Sequence, residues 1–310
     1  MFVGIRSFFF HIFRKIVSLL MGSSISKVPG VLNIYHFLFR LLYPKKNIIE
    51  VEGSKVYVNL DDETILRNTF ETYIINPRWN EVTTEKFKAV VKEGDVVLDL
   101  GANIGYYSLL AARLTGHRGR VYSFEPEPRN YDLLLKNIEI NNYQNIIPNQ
   151  KAVSDRSGSI KLSISSIDSG AHTIRPTENT NNFKETIDIE MVSLDEYFKG
   201  REDVINVIKM DIEGFEPYAL KGMNNILKGS PDIKLFIEFY PEIIREAGNS
   251  PEEFARSLKD DYGFSITITD DDWKDRRCFN ITSIKELMDY FKLKKTVNLF
   301  LERNEKLTSY

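Results

Sequence analysis

Residues 96–105 read Val-Val-Leu-Asp-Leu-Gly-Ala-Asn-Ile-Gly, an apolar run, an acid, and then two glycines four positions apart. Residues 96–98 are β-branched and aliphatic, the composition of a strand buried on both faces in a parallel sheet. Gly101 and Gly105 bracket a turn into a helix that begins near Ile104. Glycine accepts positive φ there and lets a ligand approach the backbone closely. The helix start adds free N–H groups and a partial positive charge. Twenty-six positions beyond Asp99, Glu125 closes a second apolar run, residues 121–125. A strand-end acid at this spacing is the group that holds ribose hydroxyls in a nucleoside-binding βαβ unit.

The residues between the glycines narrow the ligand. Dinucleotide sites carry G-x-G-x-x-G and seat a pyrophosphate on the helix N-terminus. Here Asn103 stands where the second glycine would fall, and Asp99 precedes the first. A carboxylate beside the turn repels a pyrophosphate and suits an ammonium group. The ligand that fits is a nucleoside with a cationic amino-acid arm, such as S-adenosylmethionine. Candidate cofactor residues are Asp99, Gly101, Ala102, Asn103, Gly105, Glu125 and Pro126, with Asp211 further along the chain. The competing reading is a tight strand–helix connection with a solvated acid.

Of the 310 residues, 42% are hydrophobic and 27% charged, the balance of an ordinary globular protein. Cys278 is the only cysteine, which excludes an internal disulfide and a thiolate zinc cluster and fits a reducing, cytoplasmic setting. The net charge of −3 argues against nucleic acid as a partner. The charge is unevenly spread. Arg6, Arg14, Lys15, Lys27, Arg40, Lys45 and Lys46 all precede the first acid, Glu50. Two apolar segments, 8–21 and 31–43, lie in this basic region, separated by Pro29-Gly30. Arg14 and Lys15 interrupt the first, and neither reaches the roughly 20 apolar residues of a membrane-spanning helix. Two readings stay open for residues 1–46: a peripheral anchor on an acidic inner membrane face, or a helical extension packed on the main domain.

Residues 47–93 read as a hairpin over 47–61 and then a helical lead-in broken at Pro77. From 94 to 310 the pattern becomes α/β. Strands are expected near 96–99, 120–124, 146–153, 204–210, 233–239, 264–269 and 296–302. Helices are expected near 104–114, 128–141, 215–228, 251–261 and 283–291. Strand–helix alternation implies right-handed crossovers and a parallel sheet. Residues 154–192 break the rhythm and read as an inserted hairpin with a loop suited to substrate contact.

A second cluster lies at 208–217, Ile-Lys-Met-Asp-Ile-Glu-Gly-Phe-Glu-Pro. An apolar strand ends in Lys209, Asp211 and Glu213, and Gly214 opens the next helix. Glu238 ends the following strand. Ligands of open parallel sheets bind at the strands' carboxyl ends, so Asp99, Glu125, Asp211 and Glu238 are expected on one rim. Asp211 or Glu213 can instead cap a helix, and Lys209 can serve as an ion-pair partner. Asp211, Glu213, Glu216 and Glu238 also offer oxygen ligands for a divalent metal; the alternative is a metal-free acidic rim that binds cofactor and substrate.

The segments 97–108 (VLDLGANIGYYS), 123–128 (SFEPEP), 151–155 (KAVSD), 193–198 (SLDEYF) and 208–216 (IKMDIEGFE) together resemble the FkbM-type S-adenosylmethionine-dependent methyltransferases, over residues 94–240. The resemblance implies a class I, Rossmann-like sheet, mostly parallel and ending in an antiparallel strand. It implies O-methylation of a hydroxyl on a sugar, glycolipid or polyketide-like acceptor. Under it Asp99, Gly101, Asn103 and Gly105 hold the methionine arm, Glu125 the ribose, and Ala152 lies near the adenine. Lys209, Asp211, Glu213 and Gly214 match its second signature. Similar proteins carry a Tyr-Glu pair where this chain has Tyr73-Ile74. Methyl transfer to a hydroxyl calls for a base, and the candidates are Asp211 and His172, with Lys209, Glu213 and Glu238 beside Asp211. The alternative functions are a nicotinamide-dependent oxidoreductase and a catalytically silent cofactor-binding or membrane-tethered protein.

Overall fold

The computed structural model describes residues 8–13, 15–17, 31–43, 48–57, 80–166, 172–174, 183–271 and 276–303. A small hairpin of β1 (Ile48–Val51) and β2 (Ser54–Tyr57) turns through Glu52 and Gly53. After the helix Glu81–Val90 the chain enters the main sheet: β3 (Val96–Leu100), helix Tyr106–Thr115, β4 (Arg120–Phe124), helix Pro128–Asn141 and β5 (Ile146–Asn149). A three-stranded side sheet follows, built from β6 (Ala152–Val153), β7 (Gly158–Ser165) and β8 (Phe183–Val192). The main sheet resumes with β9 (Val207–Met210) and β10 (Lys234–Phe239), and closes with β11 (Phe264–Asp270), β12 (Arg277–Ile281) and β13 (Val297–Arg303).

The eight main strands lie in the order β12-β11-β13-β10-β9-β3-β4-β5. β5, β4, β3, β9 and β10 run parallel, while β13, the last strand, inserts antiparallel between β10 and β11. This is the Rossmann-like α/β sheet with a reversed final strand that the sequence led one to expect. Strand alternation divides the interior. Leu98, Leu100, Tyr122, Phe124, Ile208 and Met210 face one layer. Val97, Val121, Val207, Phe236 and Phe300 face the other, beneath Phe87 and Leu109 of the two helices there. The helix Pro128–Asn141 shows how local sequence sets its ends. Glu127 accepts the Asn130 N–H at 2.7 Å, Pro128 occupies the first helical position, and Asn142 closes the helix in the left-handed region.

Several elements differ from expectation. The strand read over 146–153 is two strands in two sheets, β5 and β6, because the chain leaves the main sheet at Gln150-Lys151 to pair Ala152 and Val153 with β8. The helix read over 215–228 is two, Glu216–Lys221 and Asn224–Gly229. Gly222 sits at the break, where a Cβ would lie 2.0 Å from the Ser154 carbonyl oxygen. The last turn expected at 251–261 is α-helical only over Pro251–Arg256, and Ser257–Asp261 widens into a π-turn. β12 was not anticipated. Tyr73-Ile74 and Pro77 lie outside the described residues, as does all of the lead-in from 62 to 79.

In the N-terminal region, residues 8–13 and 15–17 are helical, as is Val31–Leu42. Phe10, Phe13, Phe39 and Tyr43 join the same buried cluster as Phe87 and Val97, and burial pushes the Tyr43 phenol up to about 12. Among the described residues, no helix is long and apolar enough to cross a membrane.

Candidate functional site

The site is built where β3, β4, β9 and β10 end side by side. Register puts Asp99 opposite Lys209 on adjacent parallel strands and Phe236 opposite Lys209 on the other side. Side chains two apart share a face, so Asp99, Lys209, Asp211 and Glu238 form one polar row across three strands. The row faces the layer occupied by helix Tyr106–Thr115.

The turn after β3 follows its glycines. Gly101 has φ +80°, and its N–H and that of Ala102 both donate to the Phe124 carbonyl at 2.9 Å. A Cβ on Gly101 would stand 1.9 Å from the Asp211 carbonyl oxygen. The turn after β3 and the turn after β9 are therefore in direct backbone contact. Asn103 also adopts positive φ, +51°, and its Oδ1 accepts the Ile104 N–H at 2.8 Å. Asparagine tolerates this conformation because its short side chain bonds locally. Gly105 caps helix Tyr106–Thr115.

Glu125 is buried at the end of β4. Its Oε2 accepts the Asn103 N–H at 2.8 Å and its Oε1 accepts the Glu127 N–H at 2.9 Å. Burial pushes this carboxyl up to about 7, against the pull of those two N–H groups. Each carboxylate oxygen has two acceptor positions, so Glu125 can fix the turn and still receive two hydroxyls. Pro126 is half-buried beside it. The side chains of Ala102 and Ala152 are buried, and Ala152 packs into the interior of the side sheet with Leu162 and Met191.

Asp99 is only 3% exposed. Its Oδ2 accepts the Ser108 hydroxyl at 2.5 Å, and Ser108 lies 2.6 Å from the Ser123 hydroxyl. Burial raises Asp99 to about 6, while Ser108 and the Lys209 charge pull it down and Asp211 pushes it up. Asp99 thus lies beneath the helix start and is not a solvated acid. Lys209 is buried as well, with its Nζ 3.2 Å from Asp211 Oδ2 and 5.2 Å from the centre of the Tyr107 ring. A buried ammonium needs such partners. The Asp211 side chain, by contrast, is 40% exposed. Glu238 is partly buried, and its carboxyl is raised well above the usual range by burial, then by the charges of Asp211 and Glu213.

Asp211, Glu213 and Glu238 each bring one oxygen within 4.8 Å of the others. The fourth acid weighed as a ligand, Glu216, turns away from them. Its Oε1 accepts the Ile212 N–H at 3.0 Å, and burial raises it to about 7. Glu213, at φ +55°, and Gly214 form the turn that Glu216 buttresses. Lys209 supplies one positive charge to this row of acids, next to Asp211.

His172 lies on the side sheet, where Thr173 bridges to Ser163. Its Nδ1 accepts the Ser165 N–H at 3.0 Å. A backbone N–H can only donate, so the neutral ring carries its proton on Nε2. That tautomer has no free lone pair on Nε2 to take a proton, which weakens His172 as a base. Sequence reasoning overlooked Ser108, Ser123 and Tyr107. The signal was present in Ser108, a small polar residue next to the buried apolar run Leu109–Ala112 of its helix.

A model of the methyltransferase FkbM domain matches residues 99–266. The chain is similar to the hexuronic acid methyltransferase AglP of Haloferax volcanii, at 33% identity over 138 residues, covering 44% of this chain and 53% of that protein. It therefore spans about half the length of that relative. It is also similar to methyltransferase sdnD of Sordaria araneosa, at 25% identity over 218 residues, covering 61% of this chain and 81% of that one. Among solved structures, a methyltransferase FkbM from Methylobacillus flagellatus is 14% identical, with a TM-score of 0.41, over 74% of this chain and 52% of that one.

Proposed function

The chain belongs to the FkbM methyltransferase family, and from that premise we propose that it binds S-adenosylmethionine and methylates a hydroxyl of a sugar, glycolipid or polyketide-like acceptor. The observation that carries this reading is the junction of the two strand-end turns, Gly101 against Asp211, with Glu125 bonded to Asn103 beside it. The donor set fits the cofactor: a buried carboxylate with acceptor capacity left for a ribose diol, main chain in the left-handed region at Gly101 and Asn103, and a partly exposed acid facing them. When bound, S-adenosylmethionine supplies an electrophilic methyl group on a sulfonium.

In this proposal Glu125 holds the ribose hydroxyls. Gly101, Ala102, Asn103 and Gly105 line the amino-acid arm, with the Asp99 charge buried beneath them. Pro126 and Ala152 mark the adenine side. Asp211 is the base. It is the exposed member of the polar row, and at the strand end it can orient an acceptor hydroxyl and take its proton. Lys209 holds the Asp211 carboxylate in place through its 3.2 Å contact. Burial, then the charges of Asp211 and Glu213, raise the Glu238 carboxyl, which favours its neutral form and limits the negative charge beside the base. Glu213 shapes the turn.

A hydroxyl acceptor is supported by a base that is a carboxylate on an open rim. The sugar class is supported by the likeness to AglP, whose name gives hexuronic acid as its acceptor. Calorimetry with S-adenosylmethionine and with NAD tests the cofactor; tight NAD binding with no sulfonium binding sinks the reading. Transfer of labelled methyl to a panel of hydroxylated sugars then tests the reaction. Wild-type protein no faster than Asp211→Asn across the panel would point to a silent cofactor-binding protein.

A further inference from the structure

The N-terminal helices have two apolar faces. The inner one is accounted for: Phe10 meets Phe39 and Tyr43 edge-on at 5.6 and 5.1 Å, and all three enter the buried cluster that contains Phe87 and Val97. The outer one is not. Phe8, Phe9, Ile12 and Ile16 on the first helix and Ile34 and Phe37 on the second all face solvent, Phe8 being 63% exposed and Phe37 65%. Of the eleven large hydrophobic side chains exposed among the described residues, seven fall between positions 8 and 41. Scattered exposure is ordinary, but a concentration of this kind marks a contact surface. The spacing is helical: Ile34 and Phe37 are three apart, and Ile12 and Ile16 four apart.

We propose that this outer face docks on an anionic lipid surface. Charge selects the occupant. Seven basic residues and no acid lie before Glu50 in a chain whose net charge is −3. An apolar stripe with basic flanks is the pattern of a helix lying in the plane of an acidic membrane. A second copy of the same face would bring two basic segments, each without an acid of its own before Glu50, together, which disfavours self-association there. Among the described residues no helix is long and apolar enough to cross a membrane, and the proposed contact is with one leaflet. Both openings left by the sequence, packing and anchoring, then hold at once, on opposite sides of the same two helices.

The full chain is tested by flotation with vesicles of phosphatidylcholine alone and of phosphatidylcholine mixed with phosphatidylserine. Binding is expected only to the mixed vesicles. Lys45→Gln with Lys46→Gln weakens it roughly 25-fold, about fivefold per charge, and high salt weakens it too. Ile34→Gln with Phe37→Gln removes it while leaving the thermal unfolding midpoint unchanged, since both side chains are exposed. Phe8→Gln with Phe9→Gln acts likewise from the other helix. Equal vesicle partitioning of wild type and both apolar double variants overturns the proposal. So does a stable dimer in sedimentation without lipid that Ile34→Gln with Phe37→Gln dissociates, in a wild-type protein that does not float.

Discussion

Gly101 approaches Asp211 so closely that a single methyl group on its Cα would sit 1.9 Å from the Asp211 carbonyl oxygen. Two loops more than a hundred residues apart in sequence are thereby held at one fixed separation. Gly101→Ala must displace one of them, and at φ +80° it is also strained. The expected cost is about 3 kcal/mol or more, read as a fall in the thermal midpoint of several degrees, with loss of S-adenosylmethionine binding. A midpoint equal to wild type means that the two loops are free to separate.

Glu125 links the cofactor to pH. Glu125→Gln replaces an acceptor by an amide N–H group that faces the Asn103 or Glu127 N–H. Affinity for S-adenosylmethionine is expected to fall about 10- to 100-fold, the loss typical of charged hydrogen bonds. In the wild type the free carboxyl titrates at about 7, and the hydroxyls of a ribose favour its ionised form. Affinity therefore rises as pH increases through about 7 and binding releases a proton, visible as a calorimetric enthalpy that depends on the buffer. Flat affinity across this range removes Glu125 from the ligand.

Asp211→Asn separates chemistry from binding. Loss of the base lowers kcat by about 100-fold or more, while cofactor affinity changes by less than about threefold. The reverse pattern, weak binding with kcat preserved, reassigns Asp211 to the amino-acid arm.

The cofactor-free protein is expected to become more stable as pH falls. Asp99, Glu125 and Glu216 have folded values of about 6, 7 and 7, all raised mainly by burial. A raised acid binds more protons folded than unfolded. Its stabilisation is complete below the unfolded value, near 4, and is lost as pH rises through the folded value. Each group contributes on the order of 3 kcal/mol, at about 1.4 kcal/mol per pKa unit. Urea unfolding between about pH 5 and pH 8 measures the slope; a stability that climbs with pH over this window contradicts the assignment.

Ser108→Ala withdraws the donor nearest Asp99. Above about pH 6 it leaves an ionised buried carboxylate with one bond fewer, and the expected cost is about 1–3 kcal/mol. The cost shrinks at lower pH, where Asp99 is protonated. Equal destabilisation on both sides of that pH assigns Ser108 a packing role alone.

Apolar runs made the parallel strands legible. Residues 120–124 and the helix 128–141 stand where the sequence puts them, because buried strands and a proline-led, acid-capped helix are local signals. Contacts distant in sequence were not legible. The break at Gly222 depends on the Ser154 carbonyl, and the departure of Ala152 from the main sheet depends on β8, whose partner residues begin some forty positions later. At the site, the acids Asp99, Glu125, Asp211 and Glu238 were readable as strand ends. Their division of labour was not, because it turns on which acid is covered. Ser108 and Lys209 cover Asp99, and Asp211 stays open.

Pro148 carries a consequence at the far side of the sheet. In β5 the carbonyls of Asn145 and Asn149 accept from Val121 and Glu125 of β4. The intervening even-numbered residues of β5 therefore turn their N–H groups to the open edge. Pro148 has none to offer. An incoming strand meets an interrupted ladder. At this margin the parallel sheet is closed to growth, so neither fibril-like stacking nor strand exchange between neighbouring molecules has a template there.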